Sequence, residues 1–228
     1  MLVRNYDLLP AFMKNEIVRS YYEMLDEKRS ALVCKRLFDI FFSVLLLIVL
    51  SPVIITVALM IRIDSKGPVF YRQERITANL KVFRIVKFRT MYNRESGKDS
   101  PLTVAGDGRI TSVGKKLRKL RLDEIPQLFN ILVGSMSFVG TRPEVPKYVM
   151  KYTDSMKATL LLPAGLTSEA SIRFSNESEL LGSGADTERI YLEEILPSKM
   201  TSNLEYLRDY RFINDIKILF GTLFRQDD

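Results

Sequence analysis

The sequence predicts an α+β fold: a small, mostly helical domain with one short β-hairpin, preceded by an apolar helix–break–helix segment. Three observations predict it. The run from Ile40 to Ile61 carries no charge, and Ser51-Pro52 interrupts it. Two aromatic and β-branched stretches, GPVFYRQERI and KVFRIVKFRTM, flank the short connector TANL. Apolar residues then recur at helical spacing through the rest of the chain.

Residues 1–34 mix apolar and charged side chains. Phe12, Glu16, Arg19, Glu23 and Lys28 predict a short amphipathic helix with a packing or membrane-surface role and no chemistry. Residues 35–62 form the apolar unit. Its uncharged part reaches about 33 Å as a helix, just enough for a bilayer. The mostly polar stretch ahead of it is too long for a secretory signal. Pro52 removes a backbone donor and crowds the Ile48 carbonyl, at a cost of about 3 kcal/mol or more within a helix. In lipid the freed groups need partners, and the Ser51 hydroxyl is at hand. A kink here leaves two arms of about 16 Å each, enough to reach mid-bilayer and return.

Both flanks of this unit are basic: Arg4, Lys14, Arg19, Lys28, Arg29, Lys35 and Arg36 before it, and Arg62, Lys66, Arg72, Arg75 and Lys81 after it. The positive-inside rule therefore sends neither flank outside, which favours a dip and return over a crossing. On the residues alone, a proline-kinked spanning helix and a soluble core helix stay open as well.

Residues 63–228 hold the domain. The strand-like pair predicts the hairpin. Residues 93–109, polar and glycine-bearing, read as a loop. Thr111 or Ser112 caps a short basic helix, VGKKLRKL. A second helix follows at DEIPQLFNILVG, with Ile125, Leu128, Ile131 and Leu132 on one face and Gly134 as its stop. A Pro/Gly loop at 162–168, a polar stretch and a helix around 186–196 come next, with Pro197 ending that helix. Leu207, Tyr210, Ile213, Ile216, Phe220 and Leu223 predict one final helix, packed on the core or lying in a membrane interface.

Composition bounds the chemistry. With 228 residues the chain holds one domain and an appendage, and its net charge of +7 suits an anionic partner. The one cysteine, Cys34, excludes an internal disulfide. The absence of histidine excludes His-based triads and bases, so acid–base or nucleophilic work falls to carboxylates, Lys, Tyr, Ser or Thr. The aromatics sit among aliphatics at core-like spacing, which argues against a nucleic-acid partner.

The densest cluster is KKLRKLRLDEIPQLFN, where Lys115, Lys116, Arg118, Lys119 and Arg121 precede Asp123 and Glu124. With Asp123 capping the following helix, backbone amides and the helix dipole would meet there, an end that also attracts phosphate. The surrounding positive charge would keep the carboxylate ionised. Such a carboxylate can attack phosphorus, provided a divalent metal screens the two anions; Mg²⁺ suits these oxygen ligands. Equally, Asp123 can be a plain cap, Glu124 a first-turn acid and the basic run a solvated face. The GTRPE turn at 140–144 offers Arg142 for bidentate phosphate contact, or is simply a turn.

In order, the chain presents KRLFDI, the apolar run with SP, GPVFYRQER, FRIVKFRTM, GDGRITSVGKKLRKLRLDEIPQLFNIL, GSMSFVGTRPEVPKYV and DIKIL. Taken together these segments, from about Lys35 to Phe224, resemble the bacterial sugar transferase family, the monotopic polyprenyl-phosphate phosphoglycosyl transferases. The resemblance implies that Ser51-Pro52 breaks a re-entrant membrane helix. It implies that Asp123 is a nucleophile attacking the β-phosphate of a UDP-sugar, releasing UMP, and that polyprenyl phosphate then takes the phosphosugar to begin a surface glycan. It implies Mg²⁺ near Asp123 and Glu124, and phosphate or substrate contacts at Lys87, Arg89, Arg118 and Arg142. It further implies a cytoplasmic-face location on a bacterial inner membrane, with both termini cytoplasmic and membrane lipids as partners. With no multi-span domain ahead of the apolar segment, the chain resembles the minimal form of the family; a homo-oligomer is compatible with it.

Two departures stand out: Thr141-Arg142-Pro143 where PRP is commoner, and PAGLTSE at 163–169 where PGITG is usual. They leave the sugar undefined. Two other classes share the residues: a non-catalytic membrane-anchored module binding lipid or a polysaccharide complex, which would not need Asp123, and a glycosyltransferase that releases UDP.

Overall fold

The structure, a computed structural model, describes residues 4–92, 107–174 and 187–224. The loop expected over 93–109 thus lies mostly outside the described residues. Helix α1 (Glu16–Asp26) starts where the Asn15 side chain accepts from the Val18 amide at 2.8 Å. Its inner stripe, Val18, Tyr21 and Leu25, is buried in one core with Tyr148, Leu160, Tyr191 and Leu196. Glu16, Arg19 and Glu23 form its polar face.

Helices α2 (Arg29–Val49) and α3 (Ser51–Asp64) meet at a bend of 61°. The expected boundary after residue 34 falls inside α2. Pro52 sits in the first turn of α3, and the Ser51 hydroxyl donates to the Ile48 carbonyl at 2.8 Å. The carbonyl that proline leaves unpaired is therefore satisfied by the neighbouring side chain. The inner stripe of α2 turns polar after Leu32: Lys35, Asp39 and Ser43 are buried. The Lys35 ammonium donates to Asp215 Oδ2 at 2.6 Å and to the Val139 carbonyl at 2.7 Å. Tyr206 donates to the other oxygen of Asp215 at 2.7 Å, and Asp39 accepts from the Phe138 amide at 3.1 Å. The outer stripe is apolar: Leu37, Phe41 and Ile48 are each more than 60% exposed.

The hairpin forms as expected, β1 (Phe70–Thr77) antiparallel to β2 (Lys81–Phe88) with Thr77 opposite Lys81. Its connector is tight, with Asn79 and Leu80 both at positive φ. Helix α4 (Ser112–Lys119) starts at Thr111, whose hydroxyl accepts from the Gly114 amide at 2.9 Å. Helix α5 (Gln127–Val133) ends at Gly134 with φ 87°, the left-handed stop the sequence predicts. Arg36 of α2 caps that same end, donating to the carbonyls of Ile131 and Leu132 at 2.6 and 2.8 Å.

A second sheet was not expected. Strands β3 (Met136–Val139) and β4 (Ala164–Thr167) pair in parallel, so part of the 162–168 loop is a strand. Between them lie α6 (Pro146–Val149) and a 3₁₀ segment, Met156–Leu161; α7 (Glu169–Arg173) follows β4.

Two helix expectations fail at the C-terminal end. Pro197 does not end a helix: α8 (Thr187–Ile190), a π turn (Tyr191–Ile195) and α9 (Leu196–Arg208) run on through it. Pro197 stands in the first turn of α9, and the wider π turn before it relaxes the ladder where the proline ring would clash. The expected final helix is two, because Arg211 is extended between α9 and α10 (Phe212–Leu223). Leu207 and Tyr210 are buried, whereas Ile213, Phe220 and Leu223 are exposed; the inner face of α10 is Asp215 and Ile218.

Candidate active site

Three elements converge on two carboxylates. Strand β2 alternates, with Phe83 and Ile85 buried in a cluster with Leu128 and Ile131 of α5. Lys87 continues that alternation and reaches the turn that precedes α5. Asn130 of α5 fixes the edge of β2, accepting from the Val86 amide at 2.9 Å and donating to the Arg84 carbonyl at 2.9 Å. The turn is a single 3₁₀ stretch, Leu122–Glu124, entered through Arg121 at φ 52°. Asp123 and Glu124 lie on it.

This corrects the helix-cap expectation. Asp123 caps nothing; α5 starts four residues later, after Pro126, with no side-chain cap.

Glu124 Oε1 accepts from Lys87 Nζ at 2.7 Å and from an Arg142 guanidinium nitrogen at 2.8 Å. Arg142 comes from the loop after β3, and that loop is braced from three sides. Gly140 and Gly165 lie so close that a Cβ on Gly165 would strike the Gly140 backbone. Arg75 donates to the Pro143 carbonyl at 3.1 Å. Glu144 accepts from the Tyr191 hydroxyl on the π turn. Arg118 approaches from α4, donating through Nε to Thr90 Oγ1 at 2.8 Å.

The two carboxyls are tuned apart. Burial raises the Asp123 carboxyl above the usual range, more than the charges of Lys87, Arg118 and Arg142 lower it; the Glu124 charge adds to the rise. The positive charge expected to keep Asp123 ionised does act in that direction, but burial opposes it and the net shift is upward. Burial also pushes Glu124 up, but Arg142 and Lys87 outweigh it and hold that carboxyl well below the usual range. One buried carboxyl whose pKa is shifted up, beside one whose pKa is shifted down, with three cations around them, is an arrangement suited to an anionic reactant.

Lys87, Arg118, Arg142, Asp123 and Glu124 thus share one site. Arg89 does not join them. It is 6% exposed, and its guanidinium donates to the carbonyls of Ile61, Ser65 and Lys66 and to the Ser65 hydroxyl. Its donors hold the end of α3, because residue 89 lies past the strand end, where the chain turns towards α3. Sequence reasoning missed Arg75, Asn130, Glu144 and Tyr191. Glu144 stood in the GTRPE turn without a role; Tyr191 carried no local signal.

Asp123 and Glu124 supply hard oxygen donors, and no third His, Cys, Asp or Glu joins them among the described residues. Such a pair fits a Mg²⁺ that takes its other ligands from substrate phosphate and water, not one caged by protein.

The chain belongs to a known family: the bacterial sugar transferase family model matches residues 30–226. Among its relatives is an undecaprenyl-phosphate glucose phosphotransferase of Komagataeibacter xylinus, 38% identical over 199 residues, which are 84% of this chain and 35% of that protein. A UDP-glucose:undecaprenyl-phosphate glucose-1-phosphate transferase of Escherichia coli K12 is 34% identical over 84% of this chain and 39% of that protein. The exopolysaccharide production protein PSS of Rhizobium leguminosarum bv. phaseoli is 34% identical over 84% of this chain and 94% of that protein. The chain thus spans 35–39% of the first two relatives.

Proposed function

We propose that this chain transfers a phosphosugar from a UDP-sugar to polyprenyl phosphate and releases UMP, through a phosphosugar bonded to Asp123. The observation that carries the reading is the Lys87–Glu124–Arg142 bridge beside the buried Asp123. The names of its relatives support the reaction class.

In this reading a carboxylate oxygen of Asp123 attacks the β-phosphorus. The bond from that phosphorus to the oxygen bridging the two phosphates breaks, and UMP leaves with that oxygen. An oxygen of polyprenyl phosphate then attacks the same phosphorus, the acyl-phosphate bond breaks, and Asp123 is freed as a carboxylate with polyprenyl-diphospho-sugar formed. Arg118, Lys87 and Arg142 orient phosphate oxygens and offset their charge. Glu124 holds two of those cations in place. Asp123 and Glu124 would hold Mg²⁺, which when bound screens the carboxylate from the diphosphate.

The anchor belongs to the same reading. No described helix is by itself long and apolar enough to cross a membrane, but the bent α2–α3 pair passes by length and composition. In α2 the buried Lys35, Asp39 and Ser43 are polar and the outward Leu37, Phe41 and Ile48 are apolar, the reverse of a soluble helix. Helix α3 buries Val57 and Ile61 and leaves Ile55, Leu59 and Ile63 outward. We read the pair as a re-entrant unit that keeps both flanks on the cytoplasmic face of a bacterial inner membrane. Polyprenyl phosphate then presents its phosphate at the depth where a UDP-sugar arrives from water, and the product starts a surface glycan.

The test is to incubate the extracted protein with Mg²⁺, polyprenyl phosphate and single UDP-sugars. UMP release supports the reading. UDP release would favour a conventional glycosyltransferase, and binding without turnover the non-catalytic module.

A further inference from the structure

Beside the Asp123 turn lies a second feature with no role so far. A cavity of about 150 Å³ opens between the end of α4, strand β4, α7 and α10. Its walls are Lys119, Leu120, Arg121, Thr167, Ser171, Ile172 and Thr222. A volume of this size is room for a single sugar ring.

The walls divide by chemistry. Thr222 gives its hydroxyl proton to the Ile218 carbonyl at 2.8 Å, so in the 2.8 Å Thr167–Thr222 contact Thr167 is the donor. Each oxygen keeps at least one lone pair not used in these two contacts. Lys119 and Arg121, both exposed, stand among the lining residues as pure donors. Leu120 and Ile172 supply apolar surface. A pyranose has hydroxyls that both donate and accept, and an apolar C–H face. Lys119 and Arg121 by themselves would also suit a phosphate, but hydroxyls whose protons are already given away add only acceptors, and a base would call for an aromatic platform, which this lining lacks.

Position agrees with composition. Arg121 is two residues from Asp123, no more than about 7.6 Å of chain between their Cα atoms. It is a non-glycine residue at φ 52°, an uncommon conformation that clusters at functional sites. Thr167 lies at the carboxyl end of a parallel strand pair, the end at which open parallel sheets bind ligands. Arg142 follows the other strand of the pair.

We infer that this cavity receives the sugar ring of the donor, and that Thr167, Ser171 and Arg121 determine which sugar is accepted. This rests on the proposed function. The test is the relative kcat/KM for UMP release from UDP-glucose, UDP-galactose and their N-acetylamino counterparts. Thr167→Val keeps volume and Ser171→Ala removes only a hydroxyl. Arg121→Gly removes the guanidinium while leaving the positive φ unstrained. At least one should change the preference between two of these sugars by about tenfold, the scale of one hydrogen bond. Preference unchanged in all three, even with total turnover reduced, overturns the inference and leaves the proposed function standing. No UMP from any UDP-sugar with the unaltered protein sinks the proposed function first, and this inference with it.

Discussion

At residue 123 two requirements conflict. To act as the proposed nucleophile Asp123 must be ionised, yet burial raises this carboxyl. The rate of phosphosugar transfer to Asp123 should therefore rise with pH along an acid limb lying above the usual aspartate range. Lys87 lowers the Asp123 pKa. Lys87→Met should move that limb to higher pH, measured as single-turnover UMP release across pH; an unmoved limb would separate Lys87 from Asp123. Glu124 behaves oppositely. Its folded-state pKa is depressed, so it stabilises the fold above its ordinary value near 4.5 and that contribution fades as pH falls below it. Glu124→Gln should flatten this acid dependence of unfolding. It should also remove most activity, because the neutral amide no longer holds Lys87 and Arg142 together. The presence of this cluster was legible in the basic run before Asp123-Glu124. The sign of the Asp123 shift was not, because burial is set by β2 and α5 from distant sequence.

At the scale of elements, the Ser51–Ile48 hydrogen bond shows how one side chain answers a proline. The break was readable because Pro52 leaves a known vacancy three residues behind Ser51. The hairpin, the Thr111 cap and the Gly134 stop were readable for similar local reasons. Strand β4 was not: Ala164-Gly165-Leu166-Thr167 has no alternation and a central glycine, and its partner β3 is far off in sequence. Pro197 misled because a π turn, which has no sequence signature, prepares its place. Ser51→Ala combined with Pro52→Ala restores the backbone donor and should straighten the 61° bend. A cysteine placed before α2 would then be labelled from outside spheroplasts, while the native bend keeps it protected. Protection unchanged in the double variant would remove the bend from control of topology.

On the scale of the molecule, the bent α2–α3 pair and the rest of the domain are joined by buried polar groups. Lys35 and Asp215, both about 2% exposed, link α2 to α10 and, through the Val139 carbonyl, to the strand before the Arg142 loop. Arg36 ties α2 to α5 in the same way. Lys35→Met should destabilise by about 3–5 kcal/mol, since it strands Asp215 without its cation. Adding Asp215→Leu should recover most of that loss, read by denaturant unfolding in detergent. A harmless single variant would mean the linkage is not what holds the two parts together. The sequence showed an apolar segment beside a basic domain; it did not show that a polar stripe of that segment is the joint.

The central claim is chemical, and mass decides it. Incubating the protein with Mg²⁺ and its UDP-sugar, without polyprenyl phosphate, should add one phosphosugar to the intact chain. The added mass should map to Asp123, vanish in Asp123→Asn, and be discharged on adding polyprenyl phosphate. Turnover in Asp123→Asn equal to that of the unaltered protein, or a chain that gains no mass while UMP and lipid product form, would contradict the account.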